Sequence, residues 1–167
     1  MEYSKLVENR RSCRSFIEAK PTKEDIEKII ECTLMAPSWK NSETGRYYVA
    51  LNDEAIKEVY ESLPDFNKTS SKNAAYIIAT YKKGISGNGD DNWGAYDLGL
   101  QNSYLILKAT ELGYDTLIMG LRDEERLRRF FSIPEDEIML PVIAIGIKSK
   151  TLNLNPRKKI DEVLNIK

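Results

Sequence analysis

The chain has 167 residues, of which 41% are hydrophobic and 31% charged, and this is the composition of a folded globular protein. Its 25 lysines and arginines nearly balance its 26 aspartates and glutamates, which argues against a bulk nucleic-acid binder or a polybasic membrane protein. There is no histidine, which excludes Ser-His and Cys-His nucleophilic catalysis and histidine-ligated metal sites. If the chain is an enzyme, we therefore expect an organic cofactor to carry its chemistry.

The two cysteines, Cys13 and Cys32, have no metal-ligand spacing and are too few for a disulfide framework. We expect them to be free thiols in a reducing compartment. The N-terminal residues lack the pattern of a signal peptide, and the longest apolar runs, at 74–81 and 138–147, fall far short of the ~20 residues of a membrane helix. These features predict a cytoplasmic protein.

Helix and strand patterns alternate along the chain. The first clear helix begins after the N-cap Thr22 and is expected to end at Ala36, because a residue before proline disfavours the helical conformation. The patterns that follow are strand 46–51, helix 53–63, strand 74–81, helix 93–112, strand 116–119, helix 123–131 and strand 139–147. This alternation predicts an α/β or α+β sandwich, with one mixed sheet and helices on both faces.

Three elements carry more specific expectations. The continuous apolar run 74–81 predicts a central strand. Pro141 suggests that regular pairing of the last strand starts after it. Helix 93–112 is apolar nearly all round, which predicts burial in the core or in a subunit interface, and we expect close packing to require Gly94 and Gly99.

Three clusters of side chains could carry a function. Arg10-Arg11-Ser12-Cys13-Arg14 could clamp a phosphate or carboxylate, or could be a solvated basic surface. The loop 36–42, of sequence APSWKNS, could line a planar polar ligand or be an ordinary capping turn. The basic run 155–159 could contact an anion or be a solvated tail, and the last twenty residues contain too few apolar residues to pack alone.

Taken together, these segments resemble the nitroreductase family of FMN-dependent oxidoreductases. RRSCRSF is similar to the family pattern RRSxRxF, and APSWKN is similar to APSxxN. NWGAYDLGLQNSYLILKATELGYDTLIMG resembles the long interface helix and the strand and glycine turn after it. VIAIG and the basic tail resemble the last strand and the phosphate-binding arm. The resemblance runs from Val7 to Lys159, as in a short member of the family.

The resemblance implies an α+β fold with a mixed β-sheet flanked by helices, in an intertwined homodimer with FMN at the subunit interface. It implies a single FMN-binding domain over 1–167, whose C-terminal arm, 151–167, contacts the partner subunit. The implied reaction passes hydride or electrons from NADH or NADPH through flavin N5 to nitro compounds, quinones or similar acceptors by a ping-pong mechanism. It requires no protein acid or base, so no catalytic residue is expected.

The resemblance also assigns cofactor-binding residues. Those expected near the ribityl phosphate and the pyrimidine edge are Arg10, Arg11, Ser12, Arg14, Asn67, Arg157 and Lys159. Those expected beside the ring and the ribityl chain are Pro37, Ser38, Trp39 and Asn41 from the partner subunit, with Met119 and Gly120 against the ring. No metal is expected.

The sequence departs from the family pattern after Asn41, where Ser42-Glu43-Thr44-Gly45 replaces a common Gln-Pro-Trp continuation, and Trp39 is large for its position. The segment between Leu63 and Asn92 leaves little room for the helices that cover the flavin in larger members. Two alternatives stay open. One is a flavin-binding protein with a storage, sensing or narrow reductase role, and the other is a small dimer that binds anions or nucleic acid through its arginines.

Overall fold

The computed structural model describes residues 2–87, 93–150 and 155–167. The helices are α1 (Tyr3–Asn9), α2 (Lys23–Thr33), α3 (Asp53–Ser62), α4 (Asp65–Ser71), α5 (Gly94–Glu111) and α6 (Glu124–Phe131). The strands are β1 (Gly45–Ala50), β2 (Ala75–Lys82), β3 (Asp115–Met119) and β4 (Glu137–Gly146). Short 3₁₀ turns occur at Trp39–Asn41 and Ile160–Glu162.

The four strands form one sheet in the order β1-β2-β4-β3, and each neighbouring pair is antiparallel. An isolated parallel bridge joins Ser12 to Thr116 of the edge strand β3. Strand β2 is central, as its apolar run predicts. Its side chains alternate between two cores, so that Tyr76 and Ile78 face one side of the sheet and Ile77 faces the other.

Helices cover both faces of the sheet. Helices α3 and α6 supply Val59 and Leu127 to the core on one face, while α2 and α5 supply Ile29 and Leu105 to the core on the other. All four side chains have no exposed surface. The predicted α+β arrangement with helices on both faces is therefore confirmed, but the described sheet is antiparallel and not mixed as expected.

Pro141 lies where the β2–β4 ladder changes register. Between the pairs Ile78–Val142 and Thr80–Met139, β4 contains one more residue than β2, so the proline sits in a bulge. The expectation that pairing starts after Pro141 is wrong for β2, because that ladder already begins at Glu137. It is confirmed for β3, whose Met119 pairs with Val142.

Helix α5 is buried on one face and exposed on the other. Leu98 and Leu105 have no exposed surface, whereas Tyr96 is 58% and Tyr104 36% exposed. A Cβ at Gly94 would lie 2.4 Å from the Tyr81 ring, so close packing requires that glycine.

Packing within this chain does not require the second glycine of α5, because a Cβ at Gly99 would meet nothing within 4 Å among the described residues. Two other predictions also differ from the structure. Helix α2 ends three residues before Ala36, because the amides after Thr33 form the tighter hydrogen bonds of a 3₁₀ turn. Helix α4 has no counterpart in the sequence-based elements, since its sequence DFNKTSS has no apolar stripe.

The N-terminal segment closes the edge of the sheet. Cys13 N–H donates to Thr116 O at 2.9 Å, and Ile17 N–H donates to Ile147 O at 2.9 Å. The hydroxyls of Ser15 and Ser149 lie 2.6 Å apart. Residues 155–167 are exposed throughout. Within the described residues, no helix combines the length and apolar character needed to cross a membrane.

Candidate functional site

The arginine cluster is anchored through Ser12 and Cys13, which attach it to the edge strand β3. The Cys13 side chain is fully buried, and its thiol donates to Ser15 O at 3.2 Å. Burial is the main cause that raises the pKa of this thiol above its ordinary value. Cys13 is therefore a buried anchor, and the flanking Arg14 is exposed.

Arg10 is partly buried beside two other cations. Burial, followed by the positive charges of Arg157 and Arg11, lowers the pKa of the Arg10 guanidinium. Arg11 Nη1 donates to Arg10 O at 2.7 Å, which holds the two neighbours together. Among the described residues, no carboxylate forms an ion pair with Arg10, Arg11 or Arg157. The fold thus brings the two ends of the chain into one cluster of uncompensated positive charge. Lys159 is exposed in the same C-terminal segment.

The turn after β3 lies next to the same edge strand. Met119 is buried, whereas a Cβ at Gly120 would meet no atom within 4 Å, so the backbone of Gly120 faces open space. Asn67 of α4 is 7% exposed, and its Nδ2 donates to Leu121 O at 3.4 Å. The structure therefore brings Asn67 to the Met119-Gly120 turn. Beside it, Ile118, Gly120 and the small residues of α5 line a groove of about 490 Å³.

Arg122 fixes this turn and was missed by sequence reasoning. Its Nη1 donates to Gly120 O at 2.5 Å, and its Nη2 donates to Met139 O at 2.5 Å and to Glu124 Oε2 at 3.0 Å. The side chain is 14% exposed. An arginine two residues after the glycine that follows β3 is the signal that could have revealed it, since a partly buried guanidinium can donate to several carbonyls at once.

The loop after α2 has a strained backbone. Lys40, Asn41 and Glu43 have φ values of 49°, 56° and 46°, a left-handed conformation that costs roughly 1–3 kcal/mol per non-glycine residue. Asn41 Nδ2 donates to Glu43 Oε1 at 2.8 Å, and Glu43 N–H donates to Ser38 Oγ at 3.1 Å. Glu43 is one of the residues at which the sequence departs from the family pattern. Its carboxylate thus accepts a hydrogen bond from within the loop.

Asp97 of α5 also anchors this loop, and the sequence analysis did not identify it. Its side chain is 2% exposed, and its Oδ2 accepts from Trp39 N–H at 3.0 Å, Ser42 Oγ at 3.4 Å and Ser86 Oγ at 2.5 Å. The acidic residue in the first turn of α5 is the available signal. Such a residue must find donors when the helix is buried.

The expected site residues therefore fall into two groups within one chain. Arg10–Arg14, Asn67, Met119-Gly120 and Arg157 gather around the β3 edge. Pro37–Asn41 belongs to a loop attached to the start of α5. In the part of the chain that the structure describes, no hydrogen bond or ion pair joins this loop to the β3 edge.

Comparison with known proteins gives a consistent family match. The model of the Nitroreductase family matches residues 7–82 and 66–147. A curated protein of Archaeoglobus fulgidus, described as "Putative NADH dehydrogenase/NAD(P)H nitroreductase", is 27% identical over 149 residues, covering 87% of this chain and 84% of that protein.

Solved structures show the same fold. A nitroreductase family protein from Streptococcus pneumoniae has a TM-score of 0.87 at 17% identity, with 99% of this chain and 100% of that chain covered. A protein from Exiguobacterium sibiricum, described as a "putative nitroreductase in complex with FMN", has a TM-score of 0.89 at 20% identity, with 100% and 98% covered.

Proposed function

The chain belongs to the nitroreductase family, and we propose on this basis that it is an FMN-dependent oxidoreductase with NADH or NADPH as electron donor. Relatives named as NAD(P)H nitroreductases and a solved structure of the same fold in complex with FMN support this proposal. The chemistry that FMN supplies when bound is hydride transfer at N5, and we propose nitro compounds, quinones or similar compounds as acceptors in a ping-pong mechanism.

The uncompensated positive charge around Arg10 is the observation that carries the proposal. Arg10, Arg11 and Arg157 lie together and are not neutralised by an ion pair among the described residues. A phosphate group is well matched to such a cluster, because its charge requires cations and its oxygens accept several N–H donors. Bound phosphate would also relieve the repulsion that lowers the pKa of Arg10.

We propose that the remaining residues of the β3 edge receive the ring system. The backbone of Gly120 faces open space, which leaves room for a flat ring to lie against it. Arg14 and Asn67 flank the same strand and would donate to the pyrimidine edge. The proposed roles require only binding, orientation and positive charge from these residues, which suits a chain without histidine.

We propose that the functional unit is a homodimer and that residues 1–167 form a single domain. The loop residues Pro37, Ser38, Trp39 and Asn41 would then contact FMN in the partner subunit. The proposed arm, 151–167, would lie on the partner, and residues 151–154 fall outside the described residues. The described part of the arm has apolar side chains that are 53–81% exposed, at Ile160, Val163, Leu164 and Ile166. Such exposure is expected for apolar residues that become buried only when a partner subunit binds.

We propose a cytoplasmic location, which suits the two free cysteines.

The visible absorption spectrum of the freshly purified protein tests the proposal. We expect a flavin spectrum with about one FMN per chain, released by heat, and rapid bleaching when NADH or NADPH is added. Bound FMN with slow reduction by both donors would favour the alternative of a flavin-binding protein with a storage, sensing or narrow reductase role. A colourless protein that does not take up added FMN would reject the proposal, and the arginines would then form an anion-binding surface.

A further inference from the structure

Three segments of the chain meet at one carboxylate oxygen, Oδ2 of Asp97. It accepts hydrogen bonds from Trp39 N–H and Ser42 Oγ in the loop after α2, and from Ser86 Oγ in the segment after β2. We propose that Asp97 is a positioning residue for the loop Pro37–Asn41, and that it holds this loop in the conformation that contacts FMN. This inference rests on the proposed function and adds a residue that the resemblance does not assign.

The loop needs an external anchor because of its backbone. Trp39 begins a 3₁₀ turn, and the first amides of a helical turn have no partner within the turn. The carboxylate of Asp97 accepts the N–H of Trp39 at 3.0 Å, so it caps the turn from a different helix. Lys40 and Asn41, the next two residues, are left-handed, a conformation that persists only where the surroundings enforce it.

The position of Asp97 also suits a buried negative charge. It is the fourth residue of α5, in the first turn of the helix, where the free N–H groups favour an anion. Its side chain is 2% exposed, and no lysine or arginine among the described residues forms an ion pair with it. The three N–H and O–H donors are therefore its partners, and replacing the carboxylate by a neutral amide would weaken the hydrogen bonds to them, because the charge that strengthens these bonds is lost.

The test compares Asp97→Asn with a matched control, Glu137→Gln. Glu137 is also buried, at 6% exposure, and accepts from Tyr48 Oη at 2.9 Å and Thr80 Oγ1 at 2.5 Å. None of its partners belongs to the proposed flavin site. Both changes keep the shape of the side chain and remove a buried charge, so both are expected to lower the melting temperature.

Only the Asp97 variant should affect the flavin. We expect Asp97→Asn to raise the dissociation constant for FMN by about tenfold or more, the scale of one hydrogen bond to a charged group, while Glu137→Gln changes it by less than about twofold. Flavin fluorescence quenching measures both. In the protein without FMN, amide hydrogen exchange measured by NMR should show faster exchange of the Trp39 N–H in Asp97→Asn but not in Glu137→Gln.

Ser42→Ala covers the case in which Asp97→Asn does not fold. It removes one of the donors to the same oxygen, and we expect a smaller loss of FMN affinity with faster exchange at Trp39. Unchanged FMN affinity in Asp97→Asn or, if that does not fold, in Ser42→Ala would overturn the inference. Equal losses in Asp97→Asn and Glu137→Gln would do the same. A wild-type chain that takes up no FMN would overturn the proposed function and this inference with it.

Discussion

Burial, and after it the positive charge of Arg157 near the C-terminus, lowers the pKa of Arg10 near the N-terminus, so the fold brings these two guanidinium groups within electrostatic reach of each other. Like charges that approach each other without a counterion disfavour the folded state. An anion bound between the two guanidinium groups would remove this unfavourable contribution. Binding of the FMN phosphate between Arg10 and Arg157 is therefore expected to stabilise the folded chain.

The Arg157→Ala variant tests this expectation. We expect weaker binding of FMN by about 1.5–3 kcal/mol, because a hydrogen bond to a charged phosphate is lost. Binding of riboflavin, which lacks the phosphate, should not change, and the ligand-free protein should be at least as stable as the wild type, since a repulsion is removed. Fluorescence titrations with both flavins measure this, with the exposed Arg129→Ala as control. An equal loss of affinity for riboflavin would place Arg157 away from the phosphate.

The Arg122→Ala variant should destabilise the turn after β3. The guanidinium donates to the carbonyls of Gly120 and Met139, and without it the turn after β3 loses its side-chain link to β4. We expect a loss of about 1–3 kcal/mol in the free energy of unfolding, measured by urea denaturation. Arg126→Ala serves as control, because the Arg126 side chain is 34% exposed, more than Arg122 at 14%, and its ion pair with Glu58 should contribute less. Equal effects of the two variants would contradict this role.

The pair of Tyr114 and Asp25 should contribute a pH-dependent part of the stability. Tyr114 Oη donates to Asp25 Oδ2 at 2.8 Å, and this hydrogen bond is the main cause that lowers the pKa of Asp25 below its ordinary value of 3.8. A carboxyl group whose folded pKa is lowered stabilises the fold above its unfolded pKa, and the contribution is lost as the pH falls through the folded pKa. We therefore expect Tyr114→Phe to be less stable than the wild type at pH 7.

The difference in stability between Tyr114→Phe and the wild type should narrow once the pH falls below about 3.8, because Asp25 becomes protonated in both proteins. Urea denaturation at a series of pH values measures this. A difference that stays constant down to pH 2 would mean that the loss comes from packing of the tyrosine rather than from the carboxylate.

The two faces of α5 should respond differently to the same substitution. Leu105 is fully buried within its own chain, so Leu105→Arg should prevent folding. Tyr104 is 36% exposed on the other face, so Tyr104→Arg should leave the fold intact and weaken the proposed dimer. Circular dichroism and light scattering separate these outcomes. A folded dimer of Tyr104→Arg would exclude this face of α5 from the dimer interface.

Local chemistry explains which elements could be predicted from the sequence. Thr22 caps α2, with its hydroxyl accepting from Asp25 N–H at 3.1 Å, and Asp123 caps α6 in the same way. The apolar run of β2 could be identified as a central strand because it is covered on both faces. Helix α4 gave no such signal, since its buried positions are the polar residues Asn67 and Ser71.

The candidate site was only partly predictable, for a related reason. The arginines and the loop after α2 form recognisable local patterns, and the resemblance supplied their expected roles. The contributions of Asp97 and Arg122 depend on hydrogen bonds to distant segments, such as Trp39 for Asp97 and Met139 for Arg122. Nothing in the local sequence reveals those partners, because folding alone brings them within reach.

The contact between Ser15 and Ser149, which are 134 positions apart, has a consequence for biosynthesis. The segment that bears the arginines can dock only after β3, β4 and the residues beyond β4 have been synthesised, because these supply its hydrogen-bonding partners. Contacts between residues so far apart in sequence carry a high entropic cost and form late. During translation the ribosome would therefore release almost the whole chain before the cluster of positive charge around Arg10 could assemble, and a truncated chain that ended within β4 would lack it.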